Sequence, residues 1–287
     1  MNANPFNTSR VVFRTIGKCI YCQSSDVPLK EEHIIPYGLN GNFIVQDASC
    51  AKCEAITSAF ERDILRNTFM LPRKALNLRS RRKKKRKDGV AATLKANDSL
   101  FSIQIPPDEC PVLFVLPEFL PPAILDNRNY EYGIQGTGLY QISFSDIDKE
   151  KTKSKYGSGS ISFKVNYQPV NFAKMLAKIA YSLSVAVFGL ENIEDIGILS
   201  SIKGETDDIG KWVGTAPDKL FQPNMDLHNL KLDLNWSLDM NSNELQADKL
   251  ICRVGLFSYF NIPEYVVVVG NINKELVRQM LPFGNEK

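Results

Sequence analysis

Two Cys-x-x-Cys pairs, Cys19 with Cys22 and Cys50 with Cys53, bracket the stretch Glu31-Glu32-His33 in a chain that holds only two histidines. Four thiolates suit a tetrahedral zinc with Zn–S of about 2.3 Å, and a site closed by four cysteines leaves no position open for substrate. The 27 residues between the pairs exceed the roughly 15–20 of a compact zinc ribbon. The insert therefore has room for a hairpin of its own.

His33 allows two readings. In the plain one it is a packing residue of a zinc ribbon. In the sharper one, a neutral imidazole takes a proton from water, because its pKa lies near the working pH. A carboxylate beside it, Glu32, could then hold a divalent ion. Adjacent strand residues point to opposite faces, so a bulge or turn must bring Glu32 and His33 to one site. Pro36 and the Gly-Leu-Asn-Gly-Asn turn end one strand, and Asn42-Phe43-Ile44-Val45 opens the next.

The order Cys-x-x-Cys, Glu-His-Ile-Ile-Pro, Gly-Asn-(apolar)₃, Cys-x-x-Cys and a polar residue opening a helix resembles the HNH endonuclease family, in its branch with a ββα-metal core braced by a four-cysteine zinc. The resemblance covers residues 17–66. It implies that His33 is the general base and that Glu32 helps to hold a catalytic Mg²⁺ or Mn²⁺. It also implies that Asn42 orients the histidine and that DNA is the substrate. Glu54 stands where the family usually carries His or Asn as second metal ligand. That is a departure, although a carboxylate suits a hard cation. Glu61, seven residues on along the same helical face, is the substitute candidate.

These residues need elements to position them. "CEAITSAFERDIL" has Ile56, Ala59, Phe60 and Ile64 at helical spacing. The run from Arg73 to Lys87 holds ten basic residues. Within it Arg79, Arg81, Arg82, Lys83, Lys84, Lys85, Arg86 and Lys87 are candidates for DNA phosphates, since bound Lys and Arg release condensed counterions. Residues 1–90 hold 17 of the 35 basic residues but only 8 of the 32 acidic ones, so one part of the chain suits a polyanion and the remainder does not.

Past residue 98 the composition is that of a packed domain. "ECPVLFVLP" reads as a buried strand ended by proline. "NFAKMLAKIAYSLSVAVFG" reads as a helix capped by Asn171, ended by Gly189 and buried along Met175, Leu176, Ile179, Ala180, Leu183, Val187 and Phe188. "LKLDLNWSLDM" alternates as a half-buried strand whose antiparallel partner is "KLICRVGLFSYF", and "EYVVVVG" is a further buried strand. His228, Trp212 and Trp236 read as structural, and Cys110 and Cys252 as core thiols.

The sequence thus predicts an α+β protein. An HNH-like zinc-braced domain spans 1–72, a basic arm 73–97, and an α+β domain with a largely antiparallel sheet and a long amphipathic helix 98–287. The expected activity is a metal-dependent HNH endonuclease with structural zinc. The alternatives are a non-catalytic zinc-braced DNA-binding module, or a defence effector nuclease controlled by a partner or ligand at the C-terminal domain. No window of 18 apolar residues and no signal peptide is evident, so the expected location is cytoplasmic.

Overall fold

The computed structural model describes residues 9–81, 89–144 (except 97 and 131), 155, 157, 159–222, 226–239 and 244–273. The chain is α+β, and its sheets are largely antiparallel.

Three strands and a helix carry the first section. β1 (Val11–Thr15), β2 (Leu29–His33) and β3 (Phe43–Cys50) form a sheet in the order β1-β3-β2. β3 runs straight into α1 (Ala51–Arg66). β2 and β3 pair antiparallel, with His33 opposite Ile44 and Lys30 opposite Ser49. The register slips between these pairs, and Asp47 there has a left-handed φ of 47°. This is a bulge, which breaks the simple alternation of side chains. The buried stripe of α1 is Cys53, Thr57, Phe60 and Ile64, whereas Ile56 is half-buried and Ala59 exposed. The helix is therefore rotated from the orientation that its apolar residues suggest, and Glu61 turns inward.

The expected basic arm is partly built into the fold. Arg73 and Lys74 lie on α2 (Met70–Ala75), and Val90–Ala96 is the strand β4. Arg82 to Lys87 lie outside the described residues. β4 pairs with β5 (Ser99–Ile105) and with β8 (Ser160–Ser162). β6 (Val112–Phe119) pairs with β7 (Gly136–Phe144). β6 does not end at Pro117 as expected, but passes through it opposite Leu139. In a two-stranded ribbon a proline with no N–H can face away from the partner.

The remaining strands are β9 (Ile193–Glu194), β10 (Val213–Thr215), β11 (His228–Asp239), β12 (Glu244–Leu256) and β13 (Tyr265–Ile272). They form one sheet in the order β10-β13-β12-β11, with β9 also on β13. The expected hairpin is present: β11 and β12 pair from His228 opposite Leu256 to Asp239 opposite Glu244. β13 is buried from Tyr265 to Gly270.

The long helix α3 (Pro169–Phe188) lies against this sheet and against α1. Gly189, at φ +90°, ends it as predicted. Asn171 is not its cap. The helix begins two residues earlier, and Asn171 Nδ2 donates to Asp63 Oδ2 on α1 at 2.7 Å. Val187, expected in the buried face, is 49% exposed. α3 is long and apolar enough to cross a membrane, yet here most of it is core.

One hydrophobic core runs without a break from Cys19, Ile20 and Ile34 through Phe172 and Tyr181 to Val267 and Val269. The N-terminal and C-terminal sections thus share a core. Polar ties cross the same contact. Tyr181 Oη donates to the Ile20 carbonyl at 2.5 Å, and His228 Nε2 lies 2.7 Å from the Leu39 carbonyl.

Candidate functional site

The four cysteines converge because β3 ends where α1 begins. Cys50 is the N-cap of α1, Cys53 lies in its first turn, and Cys19 and Cys22 flank a turn ahead of β2. The four sulfurs lie within 4.8 Å of one another, and the Cys22 and Cys50 sulfurs are 3.7 Å apart. Sulfurs arranged tetrahedrally at about 2.3 Å from a centre are separated by about 3.8 Å. The four could hold a zinc ion. Burial opposes ionisation of Cys22, but the hydroxyl and backbone of Ser24 and the neighbouring thiols bring its pKa down to about 6.

A cleft of about 410 Å³ opens beside β2, α1 and the Tyr37–Leu39 turn. His33, Glu31, Glu32, Glu54 and Glu61 line it together with Arg62, Arg66, Arg73, Arg81 and Lys178. His33 and Glu31 lie two apart on β2 and so share a face. His33 Nε2 is 3.4 Å from Glu31 Oε1, and the ring meets Tyr37 edge-on at 5.7 Å. Its other ring nitrogen, Nδ1, is buried and makes no hydrogen bond among the described residues. Burial lowers the pKa of His33, Glu31 pulls the other way, and Lys178 adds to the lowering. The neutral ring, able to accept a proton, is therefore the favoured form at neutral pH.

Glu32, the residue before His33, is a buried member of the same cleft lining. Its side chain is 7% exposed, and Oε1 lies 2.6 Å from the ammonium of Lys178 on α3. Glu61 Oε1 lies 2.9 Å from the same nitrogen. Lys178 also donates to the backbone carbonyls of His33 and Ile34. Burial alone would lower its pKa, but Glu32 and Glu61 more than reverse this, and the ammonium is favoured. Burial pushes the Glu61 carboxyl up, against the attraction of Lys178.

The catalytic Mg²⁺ or Mn²⁺ expected at Glu32 and Glu54 does not fit these residues. Glu32 and Glu61 are taken up by Lys178. Glu54 Oε2 pairs instead with Lys30 at 2.6 Å, at a part-exposed place by the start of α1. Among the described residues the four cysteines are the one group of three or more ligand side chains close enough for a metal. Asn42 is not placed to orient His33. Its side-chain amide donates to the Ser9 carbonyl at 2.8 Å, and its own carbonyl accepts from Val11. It joins β1 to the start of β3.

The basic residues divide into two kinds. Arg73 is spent on the carbonyls of Gly38, Leu65 and Arg79. Arg79 folds back on the loop, with its N–H on Asn40 Oδ1 and its guanidinium over the Tyr37 ring at 5.7 Å. Arg62, Arg66 and Arg81 are exposed and form no ion pair or hydrogen bond among the described residues. Arg62 and Arg66 are neighbours on one helical face. The sequence reading missed Lys178, Glu31 and these two arginines. A lysine set between Met175 and Ile179, on an otherwise apolar helical face, was the available signal for the first of them.

Comparison with protein-family models, with curated proteins and with solved structures found no match to this chain.

Proposed function

We propose that this protein is an HNH-like endonuclease that hydrolyses phosphodiester bonds of DNA, with His33 as general base and a structural zinc on Cys19, Cys22, Cys50 and Cys53. The observation that carries the reading is His33 itself: a histidine favoured in its neutral form, lining a cleft with three exposed arginines that form no ion pair among the described residues. His33 takes a proton from a water held in the cleft, the resulting hydroxide attacks phosphorus, and the bond to the leaving oxygen breaks as that oxygen takes a proton from water. Arg62, Arg66 and Arg81 offset the charge of the phosphates and hold the strand by electrostatic attraction. The zinc braces the junction of β3 and α1, close behind β2.

A second reading, a non-catalytic DNA-binding module, draws on the pairing of Glu32 with Lys178. Plasmid cleavage by zinc-loaded protein separates the two, run with and without added Mg²⁺ on wild type and His33→Ala. The nuclease reading expects cleavage by wild type and its loss in the variant, with zinc content and DNA binding kept. DNA binding without cleavage by wild type would favour the module.

A further inference from the structure

The nitrogen of Lys178 sits among four oxygens: Glu32 Oε1 at 2.6 Å, Glu61 Oε1 at 2.9 Å, the Ile34 carbonyl at 3.3 Å, and the His33 carbonyl. Two carboxylates and two carbonyls are the donor set that hard divalent cations take. The side chain of Lys178 is 1% exposed. It arrives from α3, which belongs to the C-terminal section, and reaches across the shared core to the end of β2.

We infer that Lys178 is a built-in cation: its ammonium fills the oxygen cage of Glu32 and Glu61, so that the cleft takes no divalent ion there. This rests on the nuclease reading only for its consequence in catalysis, since the binding claim stands on the cage alone. The ammonium does the positional work of an ion. It neutralises the carboxylate ahead of His33 and pins the backbone of His33 itself. It cannot also touch a phosphate, because its donors are already committed within the cage. Lys178 is thus a positioning residue, and the phosphate charge falls to Arg62, Arg66 and Arg81. It also makes the geometry of His33 depend on α3, and so on the packing of the C-terminal section.

Mn²⁺ binding followed by electron paramagnetic resonance tests this on the full-length, zinc-loaded protein, with or without any cleavage activity. Wild type should show no Mn²⁺ site that Glu32→Gln removes. Lys178→Ala, which empties the cage, should gain one site, and Lys178→Ala with Glu32→Gln should lose it again. At about a hundredfold excess of Mn²⁺ over its dissociation constant, the single variant should melt roughly 5 °C higher than without the ion, and wild type should not move. A Glu32-dependent Mn²⁺ site in wild type overturns the proposal, as does a folded Lys178→Ala that gains none. If Lys178→Ala does not fold, wild type against Glu32→Gln decides by itself. Failure of cleavage in every protein would count against the nuclease reading and leave the Mn²⁺ result standing.

Discussion

His228 Nε2 lies 2.7 Å from the Leu39 carbonyl, while the backbone N–H of Phe257 donates to its Nδ1 at 3.2 Å. A ring nitrogen that accepts forces the other to donate, so the two bonds together fix a neutral tautomer. Leu39 closes the turn that follows His33, and Phe257 follows β12. The imidazole therefore clamps the two sections, and protonating it would break the bond from Phe257.

Acid should weaken this clamp. Burial lowers His228 to about 4, and its bond to Leu39 only partly offsets that. An unfolded histidine titrates near 6.5. The unfolded state thus takes up a proton first as pH falls. The contribution is whole above about 6.5 and is lost progressively down to about 4, amounting to about 3 kcal/mol. Denaturant midpoints measured from pH 7.5 to 4 should fall across that window, and less steeply in His228→Gln. Equal slopes in the two proteins would remove the clamp.

His33 should give cleavage its acid limb. Burial lowers its pKa, so the base form persists below pH 6.5 and the limb should lie under that value. Glu31 works against the lowering. Glu31→Gln should therefore move the limb to still lower pH, and His33→Ala should reduce cleavage by roughly 10²–10⁴-fold. A limb that Glu31→Gln leaves in place would separate His33 from the proton transfer.

The zinc is expected to be structural. Cys19→Ala or Cys50→Ala should abolish zinc uptake and unfold the first section, since apparent zinc energies of about 10–16 kcal/mol in small zinc folds are also folding energy. Cys50 caps α1, so helical circular dichroism should drop with the metal. Purified protein devoid of zinc by elemental analysis would count against this.

Salt dependence should sort the cations. Arg62→Ser, Arg66→Ser and Arg81→Ser should each flatten the plot of log affinity against log salt by about 0.9 on duplex DNA. Arg79→Ser should instead lower stability, because its guanidinium is committed to Tyr37 and the Gly41 carbonyl. Replacing Arg82, Lys83, Lys84 and Lys85 with Ser tests the run beyond the described residues. An unchanged slope there would confine phosphate contact to the cleft.

Local pattern carried what local physics decides. The hairpin of β11 and β12, the apolar run of β13 and the glycine end of α3 follow from neighbours in sequence, and each Cys-x-x-Cys turn is local, although the pairing of β2 with β3 is what brings the two turns together. The assignments that depart do so where a distant residue intervenes. The sequence sets Glu32 beside His33, but its partner is 146 positions away, on α3. Glu54 stands at the position of a ligand, but Lys30 on β2 pairs with it at the start of α1. Asn171 suited a cap until Asp63 offered it a better bond. Such partners follow from how α1 and α3 pack, and no spacing within 17–66 encodes that.

The cluster of Lys178, Glu32 and Glu61 makes the sharpest stability contrast. With both carboxylates ionised it carries a net single negative charge in a buried place. Burial raises the pKa of Glu61 against the attraction of Lys178, which disfavours its ionised form. Glu61→Gln keeps the shape, leaves Lys178 paired with Glu32 and makes the cluster neutral. It should cost little, about 1 kcal/mol or less. Lys178→Met does the reverse. It strands two carboxylates with no cation and frees the carbonyls of His33 and Ile34, and should cost about 3–5 kcal/mol, the usual penalty for breaking a buried pair. Adding Glu61→Gln to Lys178→Met should recover part of that loss, because one stranded charge remains where there were two. Urea midpoints of the three variants check this order. Equal costs for Glu61→Gln and Lys178→Met would show that Lys178 does not balance these carboxylates in the folded protein.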